Sequence, residues 1–147
     1  VYKRQTEDCA AISLRMANGS LATSSITLGA ATDTTRLRFV YEHLTAESGT
    51  APYAPGIGEW RFTARNRDKQ EKIDAILQDV PDGLSGFAGY FDAIADAIDG
   101  RPGREVTLAA GLASIELASA IYQSDRSGAR VSLPLDRSLP IATSLRP

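Results

Sequence analysis

One cysteine, one histidine and one tryptophan are all that 147 residues contain, and each scarcity closes a class of chemistry. Cys9 alone forms no intrachain disulfide, and with a single histidine it cannot build a Cys/His zinc site. At the start of a strand it reads as an inert small residue. Any Ser-His-Asp or Cys-His catalytic set would need His43, which stands in phase with Leu37, Phe39 and Tyr41. It therefore reads first as a strand histidine at the margin of a packed face and second as a substrate contact. Positive charge is also short: 16 Lys and Arg against 18 Asp and Glu give a net charge of −2. That excludes the clustered basic surface that nucleic acid or an anionic membrane requires, and Arg36 with Arg38 is too sparse to supply one. No apolar run approaches the roughly 18 residues of a membrane span. The first eight residues lack both the apolar centre of a signal peptide and an initiator Met, so the chain is expected to be a piece of a longer cytoplasmic protein. Missing too are a glycine fingerprint after a strand and a phosphate loop ending in Gly-Lys-Ser or Gly-Lys-Thr. No catalytic residue, cofactor contact or metal ligand is assigned within the chain.

What is present suits one soluble core, with 43% apolar and 23% charged residues. Asn18-Gly19, flanked by residues 10–16 and 21–28, fits the two positive φ angles of a type I′ turn and predicts a hairpin with a two-residue loop. That register sets Met16 opposite Leu21, Leu14 opposite Thr23 and Ile12 opposite Ser25. The other face then carries Cys9, Ala11, Ser13, Arg15, Ala22, Ser24, Ile26 and Leu28, mostly small, where a solvated face would be charged. Ala11, Ser13, Ala22, Ser24 and Ile26 are the expected interface of a homo-oligomer.

Residues 35–45 alternate with period two and predict a third strand, whole or broken into two by a bulge. Prolines and glycines make residues 49–58 a loop, and 60–65 resume as a strand. Ile73, Ile76, Leu77 and Val80 mark an exposed helix over 67–80, ended by Pro81-Asp82-Gly83. A second helix carries Leu84, Phe87, Phe91, Ile94 and Ile98 on one face and stops at Gly100. Its Asp92, Asp96 and Asp99 read as a solvated side. Thr107 caps a last helix whose apolar residues spread over more than one stripe, making it the most buried helix with Ile115 at its centre. Glu116, alone in that apolar surround, is expected to pair with an arginine. Residues 131–135 predict a short closing strand and 137–147 a loosely held tail. Strands first and helices afterwards make an α+β domain over residues 1–136: a mostly antiparallel, open-faced sheet with helices on one face, the opposite face exposed for oligomerisation.

The order of these pieces resembles a known family. The features are the helix broken by Gly100-Arg101-Pro102, the helix ending Ile121-Tyr122-Gln123-Ser124 before Ser127-Gly128, the closing strand and the hairpin over 8–20. The loop of Ala51, Pro52, Tyr53, Ala54, Pro55 and Gly56 before Trp60-Arg61-Phe62 adds to them. Together they are similar to the C-terminal domain of the Gfo/Idh/MocA oxidoreductases, the glucose-fructose oxidoreductase and inositol dehydrogenase family. The resemblance implies a domain whose sheet builds the oligomer interface while its loops close over substrate. It implies NAD or NADP bound by the protein's own N-terminal Rossmann domain, and sugars, cyclitols or related polyols as substrates. The family's Glu-Lys-Pro lysine and its junction Asp and His have no counterpart here. Phe87 stands where many relatives have a histidine. Tyr53, His43 and Trp60 are the candidates for the substrate side, because an irregular loop beside a sheet can offer a phenol and an aromatic face to a polyol. The competing reading is a stand-alone α+β ligand-binding or dimerisation module without enzymatic activity; such folds often open with helices, whereas this chain opens with a hairpin.

Overall fold

The structure, a computed structural model, describes residues 8–56, 58–80, 86–103 and 105–142. Two compact units result, one built on residues 25–89 and the other on residues from 90 onward, with the first hairpin divided between them. The expected Pro81-Asp82-Gly83 stop, Leu84 and the end of the tail lie outside the described residues.

β1 (Cys9–Arg15) and β2 (Leu21–Thr27) form the first hairpin. Its turn differs from expectation. Gly19 N–H donates to the Met16 carbonyl at 2.9 Å, and Met16 N–H donates to the Ser20 carbonyl at 2.9 Å. Gly19 takes φ +86°, whereas Asn18 stays out of the left-handed region and instead accepts from Ser20 N–H at 3.0 Å through Oδ1. The loop is thus three residues, Ala17-Asn18-Gly19, with a glycine bulge, in place of a two-residue I′ turn. At the far end Leu28 N–H donates to the Asp8 carbonyl at 2.8 Å, and Cys9 Sγ meets Thr27 Oγ1 at 3.4 Å. Both ends give one register: Met16 opposes Ser20, and Asp8 opposes Leu28. It is one residue away from the expected register.

The strand expected over 35–45 is a second hairpin. β3 (Arg38–Val40) pairs antiparallel with β4 (Leu44–Glu47), which pairs antiparallel with β5 (Arg61–Ala64). Glu42 and His43 make the turn, and neither adopts positive φ, so no glycine or asparagine is needed to announce it. Arg65-Asn66 then leads from β5 straight into α1 (Arg67–Gln78), where the Asn66 side chain caps by accepting from Lys69 N–H at 3.0 Å. Gln70 ties this helix to the sheet. Its Oε1 accepts from Ala64 N–H at 2.8 Å while its Nε2 donates to the Phe62 carbonyl at 3.1 Å and to Asp74 at 2.8 Å.

After α2 (Gly86–Ile98), Gly100 at φ +73° turns the chain so that Arg101 reaches back to Asp96 and Asp99. The guanidinium is held above its ordinary pKa first by the hydrogen bond to Asp96 and by that carboxylate's charge, with Asp99 adding to it. α3 (Leu108–Ser127) starts at its Thr107 cap and stops at left-handed Gly128. Residues 131–135 are not a strand. Pro134 has no N–H for a ladder, and Leu135 N–H donates to Glu116 Oε1 at 2.7 Å, so Glu116 serves a backbone amide where an arginine partner was expected. Residues 137–142 are not loose either: Ile141, in a 3₁₀ turn Pro140–Ala142, is 4% exposed and clusters with Ala120 and Leu135.

The α+β class and the antiparallel pairing stand as expected, although the strands divide between two small sheets. Ile115 is a correction. α3 is the only α-helix with buried residues among those described, but they are the small Ser119 and Ala120, which let the returning chain approach closely. Ile115 remains 64% exposed.

Candidate functional site

β3, β4 and β5 build the aromatic surface on which two of the substrate-side candidates sit. The register aligns Phe39 with Ala46 and Ala46 with Phe62, which puts these three on one face with Ala46 buried between two rings. Trp60, two residues before Phe62, stacks on both neighbours: centroids 6.1 Å from Phe39 at 21° and 6.3 Å from Phe62 at 23°. Trp60 is half-buried. Its ring is therefore the middle member of a stacked row of nearly parallel rings.

His43 lies in the β3–β4 turn. Its carbonyl accepts from Arg65 N–H at 3.0 Å, fixing the backbone, while the half-exposed imidazole places Nε2 3.5 Å from Glu42 Oε1. It lines a shallow depression of about 460 Å³ together with Tyr41, Glu42, Leu44, Ala46 and Phe62. The depression is mostly apolar, with polar groups at its rim. Phe62 links His43 to the Trp60 row. Sequence reasoning overlooked Tyr41 and Phe62 here, although both stand in the alternation that marked the strands.

Tyr53 stands apart. Its backbone takes φ +60°, a conformation costly for a residue with a bulky side chain, and its N–H donates to Thr35 Oγ1 at 3.1 Å. The phenol is 80% exposed. The structure thus links His43 and Trp60 through Phe62, while Tyr53 projects from a pinned loop and does not line the depression.

A hydroxylated ring offers C–H faces to flat aromatic rings and hydroxyls to side-chain donors and acceptors, and this surface carries both kinds of partner. Nucleophilic chemistry finds less support, since the one cysteine is exposed and its Sγ meets a threonine hydroxyl. Among the described residues no group of His, Cys, Asp and Glu is arranged to hold a metal ion. A nicotinamide dinucleotide does not fit these residues either. Its pyrophosphate needs a strand, a glycine-rich turn and an open helix N-terminus, whereas β5 enters α1 through Arg65-Asn66 and the Asn66 side chain occupies that N-terminus.

The hairpin register redistributes the interface candidates. With Asp8 opposite Leu28 and Met16 opposite Ser20, Ala22, Ser24 and Ile26 share a face with Ala10, Ile12 and Leu14. Ala11 and Ser13 lie on the other face, beside Thr23, Ser25 and Thr27. The five expected to form one patch are split three against two. The apolar face is the one bearing Ile12, Leu14 and Ile26, and Ile26 is 49% exposed.

Residues 2–133 match a family model described as the C-terminal alpha/beta domain of an oxidoreductase family, GFO_IDH_MocA_C. No curated protein and no solved structure matches the chain. No helix among the described residues is long and apolar enough to cross a membrane.

Proposed function

Because the chain belongs to the Gfo/Idh/MocA oxidoreductase family as its C-terminal domain, we propose that it forms the substrate side of an NAD(P)-dependent enzyme acting on sugars, cyclitols or related polyols. The nucleotide belongs to a Rossmann domain of the complete protein, which works in the cytoplasm. The observation that carries this reading is the aromatic row of Phe39, Trp60 and Phe62 beside His43, with the Tyr53 phenol held out on a strained loop. The rings suit the C–H faces of a polyol, and Tyr53 and His43 supply hydrogen bonds to its hydroxyls. Self-association through the hairpin face that bears Ala22, Ser24 and Ile26 completes the proposal.

The test uses the complete enzyme with Tyr53→Phe, which keeps the ring and the backbone demand but removes the hydroxyl. KM for the polyol should rise roughly 3- to 10-fold with kcat little changed, the pattern of a lost ground-state hydrogen bond. Unaltered kinetics would remove Tyr53 from the substrate side.

A further inference from the structure

The two outer edges of the three-stranded sheet are unequal. Tyr41 N–H donates to the Leu44 carbonyl at 2.8 Å and Ser48 N–H to the Leu37 carbonyl at 3.0 Å, which aims residues 37, 39 and 41 at β4. The backbone groups of Arg38 and Val40 therefore point away from the sheet. On the outward side of β5, Gln70 takes the Phe62 carbonyl and the Ala64 N–H. Among the described residues nothing takes those of Arg38 and Val40. An edge left in this state is a template for another strand.

The strand that fits it is its own copy. Turned about a two-fold axis through Phe39, residues 36–42 set Arg36 opposite Glu42, Leu37 opposite Tyr41 and Arg38 opposite Val40, with Phe39 facing itself. This register joins the outward groups of residue 38 to those of residue 40, as an antiparallel ladder requires. Arg38 is already engaged by Glu47 at 3.2 Å, whereas Arg36 is exposed and the Glu42 side chain is 82% exposed. Phe39, 45% exposed, ends the aromatic row at this edge, so the copy's row would continue it across the axis. Val40 and Tyr41, 67% and 61% exposed, gain cover from the same pairing.

We propose that β3 is a pairing edge for a second copy of this chain, joined antiparallel about Phe39 with an Arg36–Glu42 pair at each end.

A charge swap tests the pairing. Arg36→Glu sets two carboxylates against each other at both ends of the paired strands, and Glu42→Arg sets two guanidinium groups there. Each single variant should lose about tenfold or more in self-association at low salt. The double variant, and an equimolar mixture of the two single variants, should associate as the wild type does, an outcome that a folding defect cannot produce. Amide exchange at Arg38 and Val40 should slow as wild-type concentration rises, which separates this edge from association elsewhere. Exchange at these amides that is independent of concentration would overturn the proposal. So would an Arg36→Glu variant that associates normally, or single variants that do not rescue each other.

Discussion

Gln70 on α1 and Glu116 on α3 both reach sideways from a helix to hold the backbone of an extended neighbour, with different chemistry. Gln70 faces a strand edge, where an outward carbonyl and an outward N–H need one donor and one acceptor, and its amide supplies both. Glu116 faces a non-strand segment in which one N–H, that of Leu135, needs only an acceptor. The apolar packing differs too. The described residues of the sheet unit bury Ala46 as their hydrophobic residue and align aromatic rings over it, whereas the helical unit closes a cluster of Ala120, Leu135 and Ile141 beside Tyr122, Val131 and Leu139. A helix can thus be fixed to an irregular segment mainly by apolar burial, while its attachment to a sheet edge depends on matching the polarity of that edge.

The largest expected effect tests the apolar half of this contrast. Ile141→Ala should cost about 2–5 kcal/mol in denaturant unfolding, as for a deletion from a closed cluster. Ile115→Ala, at a position 64% exposed on the same helical unit, should stay within about 0.5 kcal/mol. Equal losses at the two positions would mean that α3 packs on its first half as firmly as on its second.

A reciprocal exchange sharpens the polar half. Gln70→Glu keeps an acceptor for Ala64 N–H but sets a carboxylate oxygen against the Phe62 carbonyl and near Asp74, which should cost about 1–3 kcal/mol. Glu116→Gln still presents a carbonyl oxygen to Leu135 N–H and should lose no more than about 1 kcal/mol, the difference between a charged and a neutral acceptor. If the two substitutions cost the same, the distinction between an edge that needs an amide and a segment that needs an acceptor does not hold.

Much of this fold was legible because certain residues have one local use. Thr107 starts a helix by accepting from a free amide and Gly128 ends it in the left-handed region, so α3 could be placed from the chain alone, as α1 could from the spacing of Ile73, Ile76 and Leu77. Asn18-Gly19 announced a hairpin but not its loop length, since the pair serves a two-residue loop as readily as the three-residue loop observed. Small side chains on both strands gave neither register a clear advantage, and the one-residue slip divided Ala11 and Ser13 from Ala22, Ser24 and Ile26. The second hairpin carried no turn signal, because Glu42 and His43 turn the chain without positive φ, leaving the alternation through His43 to read as one strand or as two parted by a bulge. Of the site, Trp60 and His43 could be named from alternation. Their meeting through Phe62 depends on β4 passing between β3 and β5, which no local pattern encodes. Gln70 lay hidden in a polar helix for the same reason.

The smallest expected effect concerns a third side chain that serves a backbone amide, on the same segment that Glu116 holds. Asp136 Oδ1 accepts from Ser138 N–H at 2.9 Å. That hydrogen bond favours the ionised form, and with the Ser138 hydroxyl it holds the carboxyl below its ordinary value of 3.8. The sign follows from linkage: a folded-state pKa below the unfolded one contributes stability that is fully present above the unfolded value and is lost as pH falls through the lower folded value. Asp136 is solvent-exposed, so this contribution is modest and sensitive to salt. The Ser138 amide resonance, followed by NMR through acid, should titrate with a midpoint below 3.8, and Asp136→Asn should abolish that titration while leaving the Ile141 cluster folded. A midpoint at or above 3.8 would show that the carboxylate gains nothing from Ser138 and that the turn into the Ile141 cluster is held by apolar packing alone.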